Sequence, residues 1–352
     1  MMMKSALIKN ILVIRTDRIG DVILTTPAIR ALRRAFPDAR MSLLVSPLTL
    51  DLVQGNSDID EVLLDERYGR HAGWLGFWRL VKDIRGRHFD TAVNFHTKKR
   101  TNLLCFLAAI PRRIGYHNNK FGFLLTERVA DVRPQGLKHE SVYCLDVLKP
   151  LGVSAGDAEV LIPVQPQAEE WAERFFQNFD VPDSNLKFVA LHIGASCPTK
   201  QWPVEYFARL VELMDSRRKT FFITIGTRDQ REMVMKLRAM TGAKRSVYDL
   251  TGEISLAQCV SLLKRCDLLV SNDSGPVHIA AAFHRPVVSI FTRNQPGINP
   301  ERWRPLGERS LHVAPPVDRT LSFAKGELED TDFLYSITPE QVLAAVDAVF
   351  QV

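Results

Sequence analysis

Val270-Ser271-Asn272-Asp273-Ser274-Gly275-Pro276-Val277-His278-Ile279-Ala280-Ala281-Ala282 carries the chain from one apolar run into another. Leu268 to Val270 predict the end of a buried strand, Ser271 to Pro276 a tight turn, and Val277 to Ala282 the start of a helix. Such a junction aims free backbone N–H groups and the positive end of a helix dipole beyond the strand, which favours a phosphate or other anion. Gly275 allows close backbone approach, Asp273 can accept from sugar hydroxyls, and His278 lies one turn into the helix. The same residues also suit a plain capped helix, with Asp273 or Ser274 as N-cap.

Working outward, the pattern repeats. Phe188 to His192 reads as a strand, and Ile193 to Pro203 as its turn before a helix from Val204. In that turn Lys200, with the Ser196 and Thr199 hydroxyls, suits a diphosphate. Phe221 to Ile225 is the next strand, with Gly226 opening its turn. Val247 to Glu253 follows, then a helix capped by Ser255. At the start of the chain, Ile11 to Ile14 is a β-branched run that predicts a buried parallel strand. Arg15 to Gly20 is a loop, and Ile23 to Phe36 is spaced for one helical face, with Pro27 inside it to delay or bend the helix. Met41 to Val45 is again a strand. Two strand-helix series of this kind predict an α/β protein with two doubly wound parallel sheets.

The loop Arg15 to Asp21 has one glycine where a dinucleotide fingerprint needs three, so a nicotinamide cofactor is not expected. Asp21 stands beyond the carboxyl end of a strand, where ligands bind in open α/β sheets. It also suits a helix cap. Asp58-Ile59-Asp60 matches a short metal-nucleotide pattern, but it precedes an edge-like strand and such matches arise by chance. No metal site is expected. The basic loop His96-Thr97-Lys98-Lys99-Arg100 follows a strand and is a candidate for acceptor phosphate; Arg112, Arg113 and Lys120 lie further on.

The 352 residues fit two domains, and 46% hydrophobic with 24% charged residues suits a globular protein. No apolar run suggests a membrane span, and Met1 to Asn10 lacks the core of a secretion signal, so the cytoplasm is the expected compartment. The five cysteines form no metal-binding or disulfide pattern. Residues 1–165 hold 24 Lys and Arg against 17 Asp and Glu, and the remainder 22 against 23. The first half thus suits an anionic partner such as a lipid surface or a phosphorylated substrate, or equally a solvated charged face with no partner. Nucleic acid is disfavoured, because no recognition signature is present. The expected division is a first domain over 1–165, a connection over 166–186, a second domain over 187–335 and a closing helix over 336–352.

With these segments read, the chain resembles glycosyltransferase family nine, the ADP-heptose:lipopolysaccharide heptosyltransferases. The carriers are Ile11 to Ile14 with Arg18-Ile19-Gly20-Asp21 and Thr25-Thr26-Pro27, then Arg112-Arg113-Ile114-Gly115-Tyr116 and Lys200-Gln201-Trp202-Pro203. Thr251-Gly252 before Ser255-Leu256, and Asp273-Ser274-Gly275-Pro276-Val277-His278, complete them. The resemblance implies the GT-B class, two Rossmann-like domains facing across a cleft, with the last helix crossing back to the first. It implies inverting, metal-independent transfer of heptose from ADP-L-glycero-D-manno-heptose to the lipopolysaccharide inner core (lipid A-Kdo), with peripheral contact at the inner membrane. By resemblance, Asp21 is the general base and Lys200 the cation at the departing phosphate. Gly20, Ser196, Thr199, Gly226, Glu253, Ile254, Asp273, Ser274, Gly275 and His278 are the expected donor-binding residues. His96, Lys98, Lys99 and Arg100 are the expected acceptor-binding ones. A sugar-nucleotide 2-epimerase and a non-catalytic nucleotide-sugar binding protein are the rival readings.

Overall fold

A computed structural model of the chain describes residues 8–96, 98–153, 159–178, 186–241, 247–317 and 332–351. The expected start Met1 to Leu7, Thr97 of the basic loop, and Pro182-Asp183 of the expected connection lie outside the described residues. The chain divides into two compact units, Met1–Arg133 with Lys138–Pro163, and Pro134–Leu137 with Val164–Val352.

The first unit is built on β1 (Asn10–Ile14), β2 (Arg40–Val45), β3 (Glu61–Leu64), β4 (Thr91–Asn94), β5 (Arg112–His117) and β6 (Glu127–Ala130). They pair in parallel in the order β3-β2-β1-β4-β5-β6. Ile11 to Ile14 are wholly buried, as an apolar run covered by helices on both faces must be. The helices are α1 (Ile19–Ile23), α2 (Thr26–Ala35), α3 (Gly73–Arg85), α4 (Lys99–Leu107) and α5 (Glu140–Asp146). Pro27 acts as expected: the helical run breaks at Leu24 and Thr25, and α2 restarts with Pro27 in its first turn, where its missing N–H costs nothing.

The second unit begins with α6 (Pro166–Gln177) and contains β7 (Lys187–His192), α7 (Val204–Arg217), β8 (Thr220–Thr224), α8 (Arg231–Thr241), β9 (Val247–Asp249), α9 (Leu256–Arg265), β10 (Leu268–Asn272), α10 (Gly275–Ala282), β11 (Val287–Ile290), α11 (Pro300–Trp303), β12 (Ser310–Val313) and α12 (Pro339–Gln351). Its sheet runs β12-β11-β10-β7-β8-β9, all parallel. Read from β9, this is the order of the first sheet again. Each sheet therefore reverses its winding once, between β1 and β4 and between β7 and β10. At such a point the loops beyond the strand ends part and leave a crevice.

Two sequence-based boundaries shift. Residues 166–177 are not a connection: α6 buries Ala168, Ala172 and Phe175, and Glu169 accepts from Lys264 Nζ at 3.0 Å and Arg265 Nη2 at 2.8 Å on α9. The closing helix falls within the second unit. Val342, Leu343, Val346 and Val349 of α12 are buried in the core shared with α7, β10 and β11. Burying each such side chain contributes roughly 2 kcal/mol, which fixes where the helix packs.

Candidate active site

At the first switch point the loop beyond β1 turns its polar residues inward. Arg15 is 1% exposed, and its Nη1 donates to Phe95 O at 3.1 Å, tying this loop to the one beyond β4. Its Nε lies 2.9 Å from Asp17 Oδ1, and its Nη2 pairs with Asp21 and, at 3.2 Å, with Glu140 Oε1 of α5. Asp21 is thus no helix cap; the residue before α1 is Arg18, and no side chain caps that helix. Burial pushes Asp21 above the ordinary carboxylate range against the pull of Arg15, and Asp17 and Glu140 add to the rise. Asp17 rises for the same first reason, again against Arg15. A carboxylate that holds protons more readily than usual is suited to taking one at neutral pH.

The expected acceptor residues divide. His96 is buried, bonded through Nδ1 to Thr16 Oγ1 at 2.7 Å, and pushed down to about 3 by burial with Arg15 and Lys98 nearby. It is a neutral member of the loop and not a cation for phosphate. Arg100 is taken by Asp65, with Nε and Nη2 donating at 2.9 and 2.7 Å, and also donates to His71 O. Lys98 and Lys99 stay exposed, the latter 5.5 Å from the centre of the Phe121 ring. Further on, Arg112 pairs with Glu127 and Arg113 donates to Leu124 O, so both serve the fold. Asp58 and Asp60 are held by Arg30 and Arg33.

At the second switch point the expected residues gather. Lys200 and Asp273 form an ion pair at the carboxyl ends of β7 and β10. Ser274 occupies the N-cap of α10, yet its side chain makes no cap bond; its Oγ lies 2.9 Å from His192 Nδ1 and 3.0 Å from Ser271 Oγ. The capped-helix reading therefore fails for the side chain, and Gly275 opens the helix without it. His278 is buried one turn in. Thr199 stands beside them, its carbonyl accepting from Thr292 Oγ1 at 2.7 Å, while Ser196 is exposed. The Gln230 side chain presses on Gly226, where a Cβ would sit 2.2 Å from Gln230 Oε1. Gly252 N donates to Gly226 O at 2.8 Å, which sews the β8 and β9 turns together. Glu253 beyond them is exposed and paired with Arg231, and Ile254 is half-buried. Gly20 lies in the first unit, within α1.

With this geometry stand the similarities to known proteins. Residues 77–330 match the model for glycosyltransferase family 9 (heptosyltransferase). The chain belongs to that family. The transferase is 26% identical over 349 residues to lipopolysaccharide heptosyltransferase 2 of Escherichia coli K12, covering 97% of this chain and 98% of that one. Among solved structures, a family 9 glycosyl transferase from Veillonella parvula has the same fold at a TM-score of 0.84 and 24% identity, covering 97% of both chains. The structure of E. coli ADP-heptose lps heptosyltransferase II gives 0.72 and 22%, covering 97% of this chain and 98% of that one.

The two switch points also hold polar residues that carry little local signal in the sequence. Arg15 and Glu140 are 125 positions apart, and no local pattern joins them. His192 was read only as a strand end, yet it is buried and pushed down to about 4, so it stays neutral beside Ser271 and Ser274. Asn272 donates to Ile193 O at 2.7 Å and accepts from Trp202 N at 3.1 Å, bridging the two strands that part there. A polar residue closing an apolar strand was the one available signal for both.

Proposed function

We propose that this family 9 transferase moves a heptose from ADP-L-glycero-D-manno-heptose to the inner core of lipopolysaccharide, with inversion, Asp21 acting as general base. The observation that carries the reading is the start of α10. Ser274 turns its side chain away to His192 and leaves the Gly275 N–H without a side-chain cap, while Pro276 has no N–H and Val277 N donates to Ser274 O at 3.3 Å; Lys200 is held close by through Asp273. A sugar diphosphate suits this combination of helix dipole, one backbone donor and one fixed cation. The relatives' names point to the same donor.

In the proposed step the acceptor oxygen forms its bond to the anomeric carbon as its proton passes to Asp21. The bond from that carbon to the diphosphate oxygen breaks, and its electron pair leaves with ADP. A placed base is worth typically about 10²- to 10⁴-fold. Lys200 and the α10 terminus oppose the charge that grows on the leaving group, without calling on a metal. Asp273 then shares Lys200 with the phosphate and is free to accept from sugar hydroxyls.

The acceptor is lipid-anchored in this reading, and the first unit carries a surface suited to meet it. Tyr68, Trp74 and Leu75 are 95%, 63% and 76% exposed, and Arg67, Arg70 and Arg79 lie in the same segment. Aromatic residues with arginines favour the headgroup level of an anionic membrane. Among the described residues no helix is long and apolar enough to cross one. Sedimentation with phosphatidylglycerol vesicles, but not phosphatidylcholine ones, is expected, and Trp74→Ser with Leu75→Ser should abolish it; equal sedimentation of wild type and variant removes this surface.

The test of the donor is calorimetric titration with ADP-heptose and with UDP-N-acetylglucosamine, with and without magnesium. Binding of the adenine donor alone, independent of magnesium, is expected. Preference for the uridine sugar, with turnover in the absence of acceptor, would favour the epimerase. Binding of neither would leave the non-catalytic reading.

A further inference from the structure

One buried guanidinium in the first unit faces three carboxylates. Arg15 meets Asp17 at 2.9 Å, Glu140 at 3.2 Å and Asp21. Glu140 is 1% exposed, whereas Asp17 and Asp21 keep 20% and 18% of their side-chain surface. The other charged groups around the cluster are engaged: Arg133 binds both oxygens of Asp131 at 2.8 Å and covers the Tyr116 ring. His96 Nε2 lies 4.0 Å from Asp17 Oδ2, on a neutral ring; Cys144 and Tyr116 nearby stay protonated. Three carboxylates therefore share Arg15, with Arg133 adding its pull on Asp17 and Glu140.

We propose that Asp17 is a positioning residue for the base: by sharing Arg15 with Asp21 it keeps Asp21 basic enough to take the acceptor's proton, and it keeps Arg15 paired once that proton arrives. This rests on the reading of Asp21 as base. When the proton moves, Asp21 passes from anion to neutral acid and its attraction to Arg15 ends. A guanidinium left unpaired at 1% exposure would oppose the step, because an uncompensated buried charge is costly. Asp17 and Glu140 remain to hold it. Before the step the effect runs the other way. An Arg15 facing Asp21 alone would hold that carboxylate ionised and make it a poor base, whereas a second anion on the same cation divides the pull and adds like-charge repulsion. Glu140 is too deeply buried to meet substrate, which leaves Asp17 as the partner at the opening.

The test is a carboxyl ¹³C NMR titration of Asp21 in the full chain, for the wild type, Asp17→Asn and Asp17→Glu, with no substrate present. Asp17→Asn should lower the Asp21 midpoint by about one pH unit, and Asp17→Glu should return most of it. The acidic limb of kcat/KM against pH should move by the same amount. kcat on the plateau should fall roughly three- to tenfold, with KM for ADP-heptose unchanged. An unmoved Asp21 midpoint overturns the proposal whether or not the protein transfers heptose. Abolished transfer in Asp17→Asn beside near wild-type transfer in Asp21→Asn overturns it too, and makes Asp17 the base. Loss of transfer in Asp21→Asn with a normal shift in Asp17→Asn supports both readings together.

Discussion

The two units wind their sheets in one order and fill the point of reversal differently. Between β1 and β4 the crevice is occupied by the chain's own charges: Arg15, Asp17, Asp21 and Glu140 answer one another at close range. Between β7 and β10 stand small or neutral groups, Ser271, Ser274, Gly275 and His192, with one ion pair, Lys200 to Asp273. Under the proposed function the first moves a proton, its carboxylates held at raised proton affinity by burial, and the second receives an anion beside Lys200 and the α10 terminus. One topology then serves two tasks, and side chains decide which.

The sharpest way to break this division is to remove one group from each side. Asp21→Asn should lower transfer by about 10³-fold while leaving ADP-heptose affinity within about twofold, measured by product formation and calorimetry. Lys200→Met should lose transfer and weaken ADP binding by roughly 10- to 100-fold, because a charged partner of the diphosphate is gone. Were Asp21→Asn to weaken donor binding as much as Lys200→Met, the crevices would not be divided by task.

A smaller effect concerns the frame of the second crevice. Gly252 has φ of +71°, and a Cβ there would come within 2.8 Å of Arg228 Cα. Gly252→Ala should cost about 1–3 kcal/mol by denaturant melting and loosen the adjoining Gly226 turn. An unchanged midpoint would show that this turn relaxes freely.

The pH dependence of stability should separate the units more gently. His192 is held at about 4 in the fold, below its ordinary value near 6.5. The unfolded chain therefore binds that proton first, so the stability is complete above about pH 6.5 and is lost as pH falls toward 4. On the order of 3 kcal/mol is at stake. His96 in the first unit acts in the same sense. Asp17 and Asp21, raised in the fold, act in the opposite one and offset part of the loss. His192→Gln should flatten the fall in melting temperature between pH 6.5 and 4, read by scanning calorimetry; an unchanged slope would show that His192 titrates without cost.

Much of this was legible in the sequence where chemistry is local. The strand runs and the Pro27 break declare themselves within a few residues, because apolar spacing and turn residues act over that range; the turn expected over Ser271 to Pro276 narrows to Asp273-Ser274, with β10 running to Asn272 and α10 starting at Gly275. The partners of charged residues did not. Arg100 read as a spare cation because Asp65, which holds it, lies 35 positions earlier. Arg15 read as plain loop because Glu140 arrives from α5. The same limit moved α6 and α12: their apolar faces were evident, but not the surface each would cover.

Asn272 gives the second crevice a property of its own. By holding Ile193 and Trp202 at once, its amide works as a splint across strands that would otherwise spread. A guest then meets a seat whose width is already fixed, and surrenders little motion on either side in settling there. Recognition at such a seat is governed by encounter and departure more than by slow moulding, which suits a donor that must arrive intact and leave as a spent nucleotide at every turnover.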